Sequence, residues 1–155
     1  MRRLLIAALA IFLCLSAVGC DAKEQVEYPW QITEYDGDLQ PQNEKVVIEF
    51  MDNTLTREGV TLNIYNRTKK NFSCCPCGAC SSLQLYTNEA WYDIETIPFA
   101  CTLELLEIVP GAMRRNIINW TGAYGQLPAG KYRLVKPYTL DKEEYFAAVE
   151  FEIPA

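Results

Sequence analysis

Residues 120–136 read WTGAYGQLPAGKYRLVK, a turn followed directly by a strand. Pro128 fixes its own φ angle, and Gly130 can take the positive φ that a tight turn requires. Polar and apolar residues alternate from Tyr132 onward, as they do in a half-buried strand. A tyrosine that opens a strand after such a turn is typical of a tyrosine corner, whose hydroxyl bonds to backbone upstream and pins the connection between two sheets. Tyr132, Pro128 and Gly130 are therefore predicted to be structural residues.

Short alternating segments continue on both sides of this stretch. Turn signals such as Pro110-Gly111 separate them, and no convincing amphipathic helix interrupts them. The segment 99–109 is apolar enough for a strand or a helix, and its composition favours a strand. Seven or eight short strands predict an all-β fold, an antiparallel β-sandwich. The predicted strands are 46–51, 60–65, 83–86, 91–97, 99–109, 113–120, 132–136 and 144–153.

The N-terminus has the pattern of a secretion signal. Arg2 and Arg3 precede an apolar run, Leu4–Val18, that is too short to favour a spanning helix. The run ends Ala-Val-Gly-Cys, which resembles the lipobox of bacterial lipoprotein signal peptides. That resemblance implies cleavage after Gly19 and a lipid on Cys20, and hence a protein anchored on the outer face of the cell membrane. The alternative is an ordinary cleaved signal that leaves Cys20 as a plain thiol.

Three regions follow from this interpretation. Residues 1–19 are a signal peptide, residues 20–43 a lipid-anchored tether and residues 44–155 the β-sandwich domain. The tether is polar and acidic, as expected of a linker. Its Tyr28, Trp30, Ile32 and Tyr35 are unusual in a linker, however. They predict either a segment that docks on the domain, for example as an added edge strand, or a loosely ordered tail.

Charge and composition exclude several classes of function. The whole chain has 14 basic and 20 acidic residues; removing the signal leaves 12 and 20, so the formal net charge changes from -6 to -8. An exported acidic domain is a poor nucleic-acid binder, and its membrane attachment must come from acyl chains. The chain has no histidine, which removes the usual Ser-His-Asp and Cys-His catalytic arrangements. We therefore expect no catalytic residues and no enzyme activity.

The order of features in residues 44–155 resembles a bacterial Ig-like domain family found in lipoproteins, many of them in Gram-positive bacteria. The resemblance implies a membrane-anchored Ig-like β-sandwich, but it brings no catalytic residues and specifies no molecular function. Our own interpretation is a module that binds or spaces envelope partners, such as a protein or a glycan. The chain departs from the family between Phe72 and Ser82, where a polar connection is replaced by cysteines. The segments that carry the resemblance are Val60–Thr68, Trp91-Tyr92, Val109–Gly111, Trp120, Tyr124–Lys136 and Val149–Ile153.

Five cysteines remain once Cys14 has left with the signal and Cys20 is lipidated. In an exported protein the first interpretation is disulfide bonds. Five is an odd number, so at most two bridges form within the chain, and one thiol is left over or pairs externally. A bridge from the cluster to the fifth cysteine would staple the loop to the 99–109 strand, although the connectivity stays open. The five are Cys74, Cys75, Cys77, Cys80 and Cys101.

Two alternatives would give the same cysteines a chemical role. Thiolates at Cys74, Cys77 and Cys80, with Cys101 as a fourth ligand, have spacings that suit zinc or an iron–sulfur cluster. A second alternative uses Cys77 and Cys80 as a redox-active Cys-x-x-Cys pair. Such a pair normally lies at a helix N-terminus, whereas residues 81–87 predict a strand. The sequence thus favours a non-enzymatic binding or structural module without a cofactor, with a metal-binding or thiol-redox lipoprotein as the alternative.

Overall fold

Ten β-strands and one short helix make up the described part of the chain. The computed structural model describes residues 28–37, 39, 44–75, 80–97 and 104–155. The helix has four residues, and no helix in these ranges is long and apolar enough to cross a membrane. The elements are β1 Ile32–Glu34, β2 Val46–Phe50, β3 Gly59–Asn66, β4 Phe72–Cys74, β5 Ser82–Thr87, β6 Ala90–Ile94, β7 Leu106–Ile108, β8 Met113–Asn119, α1 Thr121–Tyr124, β9 Gly130–Leu140 and β10 Glu143–Ile153.

The strands form two antiparallel sheets that pack as a sandwich, which confirms the predicted fold class. The larger sheet has the order β1-β6-β5-β9-β4-β7, with β10 paired to β9, and the smaller sheet has the order β2-β3-β8. The three-residue strand β4 was not among the predicted strands, because three residues are too few to show alternation. The equally short β1 is the added edge strand that was one of the two alternatives for the segment before residue 44. Of the predicted 99–109 strand, Leu106–Ile108 is a strand and residues 99–103 lie outside the described ranges. The strand predicted at residues 132–136 is longer in the structure, where β9 has 11 residues.

The core is formed where alternating residues of both sheets face each other. β3 contributes Leu62 and Ile64, which are 0% and 1% exposed. β10 contributes Phe151, whose ring lies 5.6 Å from the ring of Trp120 and 5.5 Å from that of Tyr132. Aromatic pairs at such distances add to the stabilisation from burial. Phe151 therefore links elements from both sheets at the centre of the sandwich.

The segment before residue 44 packs on the domain in its described part. β1 pairs with β6, with Ile32 opposite Ile94. The indole N–H of Trp30 donates to the carbonyl of Tyr124, and the rings of Tyr28 and Trp30 stack 6.1 Å apart. Of the two alternatives that the sequence left open for these aromatic residues, the structure has the edge strand.

The turn before β9 has the hydrogen bond of a tyrosine corner. The hydroxyl of Tyr132, a residue that is fully buried, donates to the carbonyl of Pro128 at 3.0 Å. The positive φ that favours glycine in this turn belongs to Gly125, with φ at 73°, which ends α1. Gly130 has φ at 159°, close to extended, and simply begins the strand. The corner thus joins the two sheets through a connection of ten residues, 120–129.

Candidate functional site

The cysteine cluster lies where two strands share one side of β9. β10 pairs with β9 along its whole length, so β4 and β5 must both lie on the other side. Cys74 is opposite Tyr138, and Ser82 is opposite Val135. Seven residues, 75–81, therefore separate the two strands, whereas only Lys136 and Pro137 separate their partners on β9. The cysteine segment is an insertion into what would otherwise be one continuous strand.

Two interactions hold the ends of this insertion together. Cys75 and Cys80 form a disulfide with their Cα atoms 5.8 Å apart. The ammonium group of Lys136 donates to the carbonyl of Cys75 at 2.6 Å and to the hydroxyl of Ser81 at 3.3 Å. Pro137 has no backbone N–H to donate to a neighbouring strand, so interrupting the strand pairing at this position costs little stability. We call Cys74, Cys75, Cys80, Ser81 and Lys136 the loop base.

The loop base contains a buried cation and a buried thiol. Lys136 is 2% exposed, and the ion pairs within the described ranges join other residues, Lys70 to Asp141 and Lys131 to Glu150. Burial lowers the pKa of Lys136, and the nearby Cys74 opposes this shift. Burial likewise raises the pKa of the Cys74 thiol, while the charge of Lys136 acts to lower it. Cys74 is unbridged, and at neutral pH it is a protonated thiol inside the sandwich.

The state of the cysteines determines which chemistry the loop base can support. Because Cys75 and Cys80 are bonded to each other, neither offers a thiolate to a metal in this state. Residues 28–37, 39, 44–75, 80–97 and 104–155 contain no group of three or more Cys, Asp or Glu residues that could hold a metal ion. Cys20, Cys77 and Cys101 lie outside those ranges. As predicted, the residues after Cys80 form a strand, β5, and not the helix N-terminus that activates a redox pair.

An open groove of about 790 Å³ adjoins the loop base on the outer face of the larger sheet. Its lining includes Cys80 and Ser81 of the loop base and Tyr35 and Leu39 of the segment before β2. The lining mixes carboxylates and hydroxyls with apolar side chains, which suits a ligand that has both polar and apolar parts. Further lining residues are Ser82, Asp93, Glu95, Thr96, Pro137 and Phe146.

A polar network fixes the side chains beside this groove. The amide of Gln84, which is 2% exposed, donates to a carboxylate oxygen of Asp93 at 2.8 Å. The guanidinium of Arg133 donates to the Gln84 carbonyl oxygen, from Nε at 2.8 Å and also from Nη2. Arg133 in turn lies 4.3 Å above the ring of Trp91 and 5.7 Å from that of Tyr35. Each group of the network is held by a neighbour, which pre-organises this face of the sheet.

Sequence reasoning missed Lys136 and the network around Gln84. A signal for Lys136 existed, because it shares the parity of Tyr132, Leu134 and Tyr138 and must therefore face the core of the sandwich. Trp91 packs across the strand pair on Tyr86, with the two rings 5.1 Å apart. The partners of Gln84 come from other strands, and the sequence does not specify which strands are adjacent.

Comparisons with known proteins give one match. The model of a family described as bacterial Ig-like domain matches residues 42–152. No curated protein and no solved structure matches the chain. The matched range covers β2 to β9 and all but the last residue of β10, including the loop base and the tyrosine corner.

Proposed function

Because the chain belongs to the bacterial Ig-like domain family, we propose that it is a membrane-anchored lipoprotein whose non-enzymatic β-sandwich binds a partner in the cell envelope. The observation that carries this proposal is the Cys75–Cys80 disulfide at the loop base. Structural disulfides form in exported proteins and are rare in the cytosol of most bacteria. The disulfide therefore agrees with the signal peptide and lipobox expected from residues 1–20.

The proposed anchor would hold the tyrosine-corner end of the sandwich near the membrane. Eight residue steps separate Cys20 from Tyr28, where the described chain begins, and they span at most about 28 Å. Trp30 bonds to Tyr124, immediately before the corner, so the chain reaches the domain at that end. The turn at Asp141 and Lys142, between β9 and β10, lies at the opposite end and would face away from the membrane.

We also infer a second bridge, between Cys77 and Cys101. The pairing of Cys74 with Leu106 brings the chain that leaves β4 alongside the chain that enters β7. The disulfide at the loop base uses Cys75 and Cys80, and Cys74 is an unbridged buried thiol. Cys77 and Cys101 are then the two cysteines of the exported chain that are left to pair. Such a bridge would join the loop to β7, as the sequence suggested for the 99–109 segment.

Lipidation is tested by expressing the full chain in a bacterium and separating membranes from soluble material. We expect the wild type in the membrane fraction, with an N-terminal peptide that begins at a lipid-modified Cys20. Cys20→Ser should move the domain out of that fraction, while Cys14→Ser, a change within the signal, serves as the matched control. Release of the wild type into the soluble fraction would contradict the anchor.

The state of the cysteines is tested by intact mass, measured under native conditions and then after denaturation with alkylation. Two disulfides, one alkylated thiol at Cys74 and no mass lost on denaturation support the stapled binding module. Three or more alkylated thiols, or a native mass that falls on denaturation, would contradict it and favour a metal-binding or thiol-redox role. Peptide mapping assigns each bridge and so tests the pairing of Cys77 with Cys101.

A further inference from the structure

Within the described part of the chain, no strand pairs with the outer edge of β8 in the smaller sheet. β3 lies between β2 and β8, and the backbone groups of its successive residues bond alternately to one side and the other. On the β2 side, the N–H of Met51 donates to the carbonyl of Thr61, and the N–H of Arg67 donates to the carbonyl of Lys45. On the β8 side the bonding residues have even numbers, since the N–H of Asn66 donates to the carbonyl of Ala112 and the N–H of Trp120 donates to the carbonyl of Glu58. In an antiparallel pair, alternate residues direct both backbone groups to the same neighbour.

This alternation identifies the unpaired backbone groups of β8. Residues of even number, such as Arg114 and Asn116, direct N–H and C=O toward β3. Met113, Arg115 and Ile117 direct theirs toward the outer edge, where no described strand pairs with β8. β8 has seven residues and contains no proline. Such an edge can accept a further strand, which proteins normally prevent with short strands, prolines, bulges or charged side chains. Of these devices β8 has the charges, Arg114 and Arg115, which repel a cationic strand and not an acidic one.

The side chains of the same three residues point to solvent. Ile117 is 74% exposed and Met113 is 42% exposed, and Arg115 between them is also exposed. A shallow cavity of about 220 Å³ adjoins Ile117, lined in part by Thr54 and Thr61. A strand added at this edge would place its side chains beside two apolar residues and one cation, and would bury apolar surface that is now in water.

Charge indicates what kind of strand fits. The exported chain has a formal net charge of -8, yet β8 carries Arg114 and Arg115 and no acidic residue. An acidic residue opposite Arg115 would be attracted, whereas a second β8 paired symmetrically would place Arg115 opposite its own copy. The long edge strand of the larger sheet, β10, carries four glutamates and would repel an acidic segment. β1 and β7 have three residues each and offer little pairing.

We propose that the free edge of β8 binds an extended acidic segment of an envelope protein, which adds to the smaller sheet as a fourth strand. The segment has the pattern apolar-x-acidic-x-apolar, with its acidic residue beside Arg115 and its apolar residues beside Met113 and Ile117. This inference rests on the proposed role as a binding module and names the class of partner. The backbone hydrogen bonds supply general affinity, and the side-chain pattern supplies selectivity.

The test uses the protein as the expression host processes it and a synthetic peptide, acetyl-TVTETVT-amide. Amide hydrogen exchange is followed by NMR with and without peptide. We expect the amides of Met113, Arg115 and Ile117 to exchange rapidly in the free protein and to become protected by the peptide. The amides of Arg114 and Asn116 should be protected in both samples, because they already bond to β3.

A charge exchange tests selectivity. Arg115→Glu should weaken binding of the glutamate peptide by roughly tenfold and strengthen binding of the matching lysine peptide, TVTKTVT, because an attractive cross-strand pair becomes repulsive. Arg67→Glu makes the same change of charge at an exposed position off β8 and should leave both affinities unchanged. The NMR spectrum of each variant shows directly whether it is folded.

Several results would overturn the proposal. They are protection of the Met113, Arg115 and Ile117 amides without peptide, peptide-induced protection elsewhere, no protection at millimolar peptide, and protection that depends on protein concentration alone. The last result would assign the edge to a second copy of the chain. The fractionation of Cys20→Ser does not depend on the peptide. If the protein is anchored through Cys20 but does not bind the peptide, only the β8 inference is wrong.

Discussion

Tyr132→Phe removes one hydroxyl from the centre of the fold and keeps the ring that packs there. Tyr132 is fully buried, and its hydroxyl donates to the Pro128 carbonyl at 3.0 Å. A hydrogen bond of this kind contributes about 0.5–1.5 kcal/mol net, and a buried carbonyl left without its donor costs up to about 3 kcal/mol. Because the Pro128 bond is only partly buried, we expect a loss of about 1–2 kcal/mol in the free energy of unfolding.

Thermal unfolding followed by circular dichroism measures this loss. At about 2.1 cal/mol/K per residue, the 113 described residues have an unfolding entropy near 0.24 kcal/mol/K, so Tm should fall by about 4–8 °C. Tyr86→Phe, on the solvent face of β5, is the control and should change Tm by less than about 2 °C. Equal Tm values for the two variants would refute the argument that the Tyr132 hydroxyl holds the connection between the sheets.

Three further predictions concern the loop base and the core. Replacing both Cys75 and Cys80 by serine opens a six-residue ring and should lower the free energy of unfolding in urea by about 2 kcal/mol. An unchanged unfolding midpoint would show that the disulfide does not constrain the unfolded chain. Burial lowers the pKa of Lys136 in the folded state, whereas the lysine of the unfolded chain keeps its proton up to about pH 10.5. The stability of the wild type should therefore rise, relative to that of Lys136→Met, as the pH increases from the lowered pKa to about 10.5. Parallel pH profiles for the two proteins would contradict this. Phe151→Ala removes a ring that packs on Trp120 and should lower the free energy of unfolding by about 3–5 kcal/mol in the same assay. A loss below about 1 kcal/mol would exclude Phe151 as a central core residue.

Alternation in the sequence predicted the strands that have one face in the core and one in water. In β10, Phe151 and Ile153 are buried while Glu150 and Glu152 are exposed, as a period of two requires. The same signal fails for β4, because three residues, Phe72 to Cys74, carry too little pattern. It also could not choose between a docked strand and a loose tail for Ile32–Glu34, since that choice depends on whether β6 has a free edge.

The candidate site was predictable in part. The sequence showed that Cys75 and Cys80 belong to a cluster suited to disulfides, but it left their pairing open, because five cysteines allow many connectivities. It also treated the segment as a loop between strands. The registers of Cys74 and Ser82 on β9 show that it interrupts one side of a strand, with Lys136 holding both ends of the interruption.

The sequence by itself determined the fold class and the position of the corner, because alternation, turn residues and a tyrosine after a Pro-x-Gly turn are local properties of the chain. It also determined the family, which the match to residues 42–152 confirms. Only the tertiary structure decided that Cys75 pairs with Cys80, that Lys136 is buried beside them, and that no described strand pairs with the outer edge of β8. Each of these depends on which strands become neighbours and in what register, and that choice is made by packing among residues far apart in the chain.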